Sequence, residues 1–252
     1  MSDSFKRLQH TWESLGVEDP LWAIASEPGK KGNRWEVQDF LASGDEVVDR
    51  YWRLLERAGA SDKIGAALDF GCGVGRLSLA WRRRAESVTG VDISAPMIER
   101  GRRLAADASG VRLELNRRPD LSMFCDACFD LVFSHIVLQH MPWKIARGYL
   151  AEFARVCRPG GWIAFQLPSD AGRPETAARI RRWLVDHVPF GLGRVYRRWR
   201  RGASELFDMH FTSRKKVEDL LASLGVEAVL LEPDASAGPG TRGYIYVCRK
   251  AC

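Results

Sequence analysis

The sequence predicts an α/β chain built on a mostly parallel sheet with helices on both faces. Three observations carry that reading. From about residue 64 onward, short apolar runs alternate with amphipathic helical stretches. The first run, residues 64–70, ends in LDF and passes directly into GCGVG, where Gly71, Gly73 and Gly75 alternate ahead of a helical segment. The second run, SVTGVD, ends in Asp92 about twenty residues later. Strand, glycine turn, helix, strand and terminal acid is an arrangement that binds ligands outside the carboxyl ends of the strands. Glycines there let the backbone turn sharply and let a ligand approach without meeting a Cβ. The free N–H groups at the helix start suit an anionic group.

Each element follows from its local pattern. Residues 5–15 place Phe5, Leu8, Trp12 and Leu15 at helical spacing. The stretch 19–35 is turn-rich and embeds Trp22 and Trp35; packing on the sheet and closing a pocket are both open for it. A longer helix over 37–58 aligns Phe40, Val47, Val48, Tyr51, Leu54 and Leu55, a face read as packing on the sheet in preference to capping the substrate side of a pocket. Then follow strand 64–70, helix 76–85, strand 87–92, helix 95–107, strands 111–115 and 129–134, helix 142–157 and strand 161–167. Pro96 falls in the first turn of its helix, where the missing N–H costs nothing. In CRPGGW, Pro159, Gly160 and Gly161 are expected to turn the chain between helix and strand. Near the end, Thr212 or Ser213 caps a helix that Gly225 stops, and residues 226–234 and 241–250 read as two final strands.

The blocks D-F-G-C-G-V-G, V-D-I-S, FDLVFSHIVLQHMP (129–142) and CRPGGWIAFQLP (157–168) together resemble the class I S-adenosylmethionine-dependent methyltransferases of type 11/25. The resemblance covers residues 64–168 by motif and 212–249 by architecture. It implies a Rossmann-like, doubly wound sheet of seven strands in the order 3-2-1-4-5-7-6 with the last strand antiparallel. It implies S-adenosyl-L-methionine as cofactor, held by Asp69 beside its amino-acid part, by Gly71, Gly73 and Gly75, and by Asp92 with Ile93 at the ribose. Ser134 and Gln139 would face the cofactor end. Relatives carry an acid at the adenine after the third strand; here Asn116 stands there, able to offer a carbonyl to the adenine amine or to serve as a plain turn residue.

His140 is the first candidate for proton acceptance near the acceptor, with His210 the second. The resemblance would turn His135 toward the cofactor end as well, although packing is the preferred reading for it. A base is needed only when an O–H or N–H must lose its proton; otherwise methyl transfer chiefly requires that the acceptor be held against the methyl group.

Residues 169–211 read as an insertion. Nine arginines fall between Arg173 and Arg201, among Trp183, Phe190, Tyr196 and Trp199. Three readings stay open: a solvated helical lid, a basic face for an anionic or lipid-linked substrate, and an RNA-binding face. RNA base methylation is disfavoured because S-H-I-V stands where an N/D-P-P-Y/F block would be expected.

At 252 residues the expectation is one domain: a helical extension (1–60), a cofactor core (61–168), the insertion (169–211) and a closing helix and hairpin (212–252). The net charge is +6 and the isoelectric point about 9.1. That fits an anionic partner or an Arg-rich proteome equally. No apolar run spans a bilayer and the N-terminus lacks a signal peptide's apolar core, so a cytoplasmic location is expected. The six cysteines are read as neither a disulfide framework nor a zinc site, although Cys125 and Cys128 form a C-x-x-C. The expected function is methyl transfer to an oxygen or nitrogen of a small or lipid-linked metabolite. The alternatives are an RNA methyltransferase and a non-catalytic cofactor-binding scaffold. A nicotinamide-dependent oxidoreductase fits less well, since Arg76 occupies the third-glycine position of that fingerprint.

Overall fold

The computed structural model describes residues 2–60, 63–170, 209–238 and 241–252. Residues 171–208, which hold most of the expected insertion and all the arginines between Arg173 and Arg201, lie outside the described residues.

Helix α1 (Asp3–Glu18) starts where the Ser2 hydroxyl accepts the Phe5 N–H at 3.3 Å. It stops at Asp19, and Pro20 opens α2 (Pro20–Ile24). Asp19 is the hub of this region. Its carboxylate accepts the N–H groups of Trp22 (3.4 Å), Gly32 (2.6 Å) and Asn33 (3.0 Å), folding residues 25–36 back on α2. Helix α3 (Val37–Arg57) then buries Phe40, Val48, Tyr51, Trp52, Leu54 and Leu55.

The sheet comprises β1 (Ile64–Phe70), β2 (Ala85–Asp92), β3 (Val111–Leu115), β4 (Phe129–Ser134), β5 (Cys157–Asp170), β6 (Val226–Asp234) and β7 (Arg242–Lys250). Its order is β3-β2-β1-β4-β5-β7-β6. The pairs from β3 through β5 are parallel, and β7 runs antiparallel to both β5 and β6. The chain leaves β1 toward β2 on one side and reaches β4 on the other, so the switch point of the sheet lies directly above the glycine turn. Helices α4 (Arg76–Trp81), α5 (Ala95–Leu104), α6 (Trp143–Val156) and α7 (Arg214–Ser223) complete the fold.

Alternate residues of each strand feed two cores. Leu131 and Phe133 of β4 and Ala164 of β5 pack with Val48, Tyr51 and Leu55 of α3 and with Trp81. Val132 and Phe165, pointing the other way, pack with Leu150 and Phe153 of α6 and with Val217 and Leu221 of α7. Period-two alternation between two helical layers produces this division.

Several boundaries differ from the sequence expectation. Helix α4 ends at Trp81 rather than 85, because β2 already begins at Ala85. Helix α5 stops at Leu104 rather than 107. Pro159-Gly160-Gly161 does not separate two elements but lies inside β5, which starts at Cys157 opposite Phe129; the register shift between Phe129 and Leu131 absorbs it, with Gly160 at φ +69°. Ser213 does occupy the N-cap of α7, although its side chain makes no capping bond. Among the described residues no helix is long and apolar enough to cross a membrane.

Candidate active site

At the end of β1 the chain turns through Gly71 (φ +76°) and Gly73 (φ +55°). The left-handed backbone favours glycine at both. Close packing excludes a side chain as well, since a Cβ on Gly73 would lie 2.5 Å from Ile24 Cδ1 and one on Gly71 would run into Val137. Asp92, at the end of β2, accepts the Gly73 N–H at 2.9 Å and the Ser94 N–H at 2.8 Å. Burial raises its pKa and these backbone bonds oppose the rise.

Above the turn lies a cavity of about 560 Å³. Its floor is Gly71, Cys72, Gly73, Asp92, Ile93 and Asn116. Leu8 and Trp12 of α1, with residues 23–27, form a wall over it, so the N-terminal extension does close a pocket. The end near β4 is made by His135, Ile136, Val137, Gln139 and His140, together with Met209 and Ser236–Gly238. Ile136 sits at φ +56°, a costly conformation for a β-branched residue. That turn brings three consecutive residues after β4 to the cavity.

Of the residues expected from sequence, Gly71, Gly73, Asp92, Ile93, Asn116, Gln139 and His140 line this cavity; Asp69, Gly75, Ser134 and His210 do not. Asp69 is buried and accepts the Ser78 hydroxyl at 2.6 Å; burial lifts its pKa to about 7, only partly opposed by that bond and by Arg76. The Ser134 hydroxyl donates to the Phe70 carbonyl at 3.1 Å and so ties β4 to β1. The Asn116 amide closes its own loop: Oδ1 accepts the Arg118 N–H (3.0 Å) and Nδ2 donates to the Asp120 carbonyl (2.7 Å). His210 is half-buried, and its backbone N–H donates to the Gln139 carbonyl at 2.7 Å, which sets it next to the cavity-lining Met209.

His140 Nε2 lies 3.3 Å from Gln139 Nε2, and its ring meets Trp12 edge-on at 5.3 Å. His135, expected to pack, instead reaches the cavity, with Nδ1 3.1 Å from the Tyr51 hydroxyl. Burial, with help from the Arg76 charge, pushes its pKa down to about 3. Sequence reasoning also missed Arg76, which opens α4, is 7% exposed and lines the cavity. The available signal was a cation placed directly after the glycine turn, where the helix start must be buried. Cys125 and Cys128 Sγ lie 2.7 Å apart on the surface. Among the described residues no cluster of three or more His, Cys, Asp or Glu is placed to hold a metal.

Residues 67–161 match the family described as "Methyltransferase domain". A malonyl-(acyl-carrier protein) O-methyltransferase of Salmonella typhimurium is 36% identical over 155 residues, 61% of this chain and 56% of that protein. A trans-aconitate 2-methyltransferase of Azoarcus is 30% identical over 142 residues, 56% of this chain and 53% of that one. The chain thus spans about half the length of the curated relatives it matches. Among solved structures, the magnesium protoporphyrin IX methyltransferase of Synechocystis with bound S-adenosylhomocysteine aligns over 98% of this chain and 99% of its own, with a TM-score of 0.66 at 17% identity. That likeness is one of fold. With the sheet order and the glycine turn already in place, residues 67–161 match a methyltransferase domain, and the chain carries the fold of the class I S-adenosylmethionine-dependent methyltransferases.

Proposed function

We propose that this protein transfers the methyl group of S-adenosyl-L-methionine to an oxygen or nitrogen of a small or carrier-linked metabolite. The observation that carries the reading is the cavity over the glycine turn with Asp92 at its floor. The residues present fit the cofactor. Gly71 and Gly73 leave backbone where side chains would intrude, and the Asp92 carboxylate is available to the ribose hydroxyls. Asn116 borders the same floor, where by resemblance the adenine would lie, and Gln139 faces it with a buried Oε1 that has no partner among the described residues. Asp69 and Ser134 would act from behind, holding the ends of β1 and β4 in place. When bound, the cofactor supplies an electrophilic methyl group on sulfonium sulfur.

Leu8 and Trp12 would shield the bound cofactor from water, and the β4 end would position the acceptor. His140 is our candidate for taking a proton from an O–H or N–H acceptor; His210, beside Met209, is the second. His135 is too weakly basic for that role. An acceptor that arrives ionised, such as a carboxylate, needs no base. The relatives named as acting on malonyl-acyl-carrier protein and trans-aconitate support acids, free or carrier-linked, as the first acceptors to assay.

The test is calorimetric titration with S-adenosylmethionine and, separately, NADH, followed by transfer of isotopically labelled methyl to a panel of free and thioester-linked dicarboxylic acids. Binding of the methyl donor alone, with label incorporated, supports the reading. Binding of NADH alone overturns it. Binding without transfer to any class of acceptor favours a scaffold.

A further inference from the structure

We infer that Arg76 and His135 form a carboxylate-binding subsite in the cavity, serving the carboxylate either of the methyl donor's amino-acid part or of the acceptor. The subsite itself stands on geometry; the choice of source rests on the methyltransferase reading.

Among the described residues Arg76 is a buried cation with no ion-pair partner. Its Nη1 donates to the Ser43 hydroxyl at 3.0 Å and its guanidinium lies 5.6 Å from the Phe40 ring centre. Its Nε is buried with no acceptor, and among the described residues no ion pair satisfies it. The acids whose charge it feels are Asp69, already engaged by Ser78, and Glu27, which is exposed. Leaving a buried guanidinium unpaired is costly, so an anion from the cavity is the expected partner. The cradle is built for this side chain. A Cβ at Gly44 would sit 2.9 Å from both Arg76 Cγ and the Arg76 carbonyl oxygen, so helix α3 commits Phe40, Ser43 and Gly44 to it.

His135 supplies the second donor. The Tyr51 hydroxyl is buried, and burial also raises its pKa, so it keeps its proton. Donating that proton to His135 Nδ1 satisfies both groups, whereas the reverse tautomer would leave the tyrosine hydrogen without an acceptor in an apolar core. The imidazole therefore turns an Nε2–H toward the cavity. Arg76 and His135 line the same cavity, and the Arg76 charge helps keep the imidazole neutral. One cation and one neutral N–H in a largely apolar cavity match a singly charged carboxylate better than a dianionic phosphate.

The test uses the purified full chain and three probes: S-adenosylhomocysteine; 5′-methylthioadenosine, which lacks the amino-acid part; and glutarate on protein already loaded with S-adenosylhomocysteine. If the donor's carboxylate is held here, Arg76→Gln weakens S-adenosylhomocysteine about tenfold or more and leaves 5′-methylthioadenosine unchanged. If the acceptor's carboxylate is held, both nucleosides bind as before and glutarate binding is lost. Unchanged binding of all three probes overturns the proposal. Should Arg76→Gln fail to fold, His135→Asn carries the same comparison, since its Oδ1 can still accept from Tyr51. His135→Gln, which restores a side-chain N–H toward the cavity, should recover part of the affinity. Nitrogen-15 spectra of the imidazoles should show His135 protonated on Nε2, and Tyr51→Phe should abolish that preference; a proton fixed on Nδ1 overturns the part given to His135. If wild type binds neither nucleoside, the methyltransferase reading falls, and glutarate titrated into the bare protein still decides the subsite.

Discussion

Two buried groups at this site should pull the pH dependence of stability in opposite directions, and the opposition can be measured. His135 is held neutral, with its pKa lowered from 6.5 to about 3 chiefly by burial. A depressed pKa contributes stability that is fully present above the unfolded value and is lost as pH falls toward the folded one. Asp69 is the reverse case, raised from 3.8 to about 7 by burial. Its contribution is fully present below the unfolded value and is lost as pH rises through about 7. Between about pH 7 and about pH 4.5, charging the unfolded histidine costs the native state about 2–3 kcal/mol. Over the same window, relief of the buried aspartate returns about 3 kcal/mol. In wild type these two contributions nearly cancel. Asp69→Asn, whose amide oxygen still accepts from Ser78, should expose the histidine: stability falls by about 2–3 kcal/mol on acidification. His135→Asn should expose the aspartate, with stability rising by about 3 kcal/mol over the same window. The assay is urea unfolding of each variant at both pH values; groups common to both cancel in the comparison. Parallel pH dependences for the two variants would refute the argument, because neither pKa could then be displaced as the packing requires.

Three further outcomes follow from individual contacts. Asp92→Ala should lower affinity for S-adenosylhomocysteine about tenfold or more in calorimetry, since it removes the one carboxylate on the cavity floor. Asp19→Ala removes the acceptor for three backbone N–H groups and should cost about 2 kcal/mol in denaturant unfolding while weakening ligand binding, because residues 25–27 of the cavity wall sit in the loop it anchors. Gly44→Ala should drive α3 away from α4 and cost about 1–3 kcal/mol; retained stability would mean that Arg76 repacks freely.

The cofactor half of the site was legible because it is encoded locally. Gly71, Gly73 and Asp92 fall within 22 residues, and the strand ends around them are marked by abrupt changes from apolar run to glycine or acid. The strand order was readable only through family resemblance, since alternation fixes a parallel sheet but not its permutation. Pro159-Gly160-Gly161 misled because those residues punctuate most chains, whereas here a bulge lets β5 carry them and still pair with β4. The N-terminal wall was half legible. Trp12 and the 19–35 stretch were visibly apolar, but nothing in their spacing says which face meets the sheet and which meets a ligand. Asp19 followed by Pro20 was a usable helix-start signal for α2.

The inferred carboxylate subsite was hidden for a specific reason: its chemistry depends on pairs far apart in sequence. His135 alone reads as a core histidine, and only Tyr51, 84 residues earlier, turns it into a donor of fixed tautomer. Arg76 alone reads as a departure from a glycine fingerprint, and only Ser43, 33 residues earlier, shows that its guanidinium is held rather than solvated. Both partners lie on α3, the helix whose regular apolar stripe had pointed to packing in preference to a role at the pocket. A stripe at helical spacing records which residues are buried and is silent on which buried residues carry a hydrogen bond. Tyr51 satisfies the pattern as well as a phenylalanine would, and Gly44 is invisible to it. Helix α3 therefore does two jobs with one face. It closes a sheet core through Val48, Trp52 and Leu55, and through Ser43, Gly44 and Tyr51 it fixes the two donors that point into the cavity. Substitutions on this helix should accordingly separate: those at Val48 or Leu55 lower stability and activity together, while Tyr51→Phe, which keeps the ring and leaves only the His135 Nδ1 unpaired, costs about 1–2 kcal/mol and alters ligand affinity.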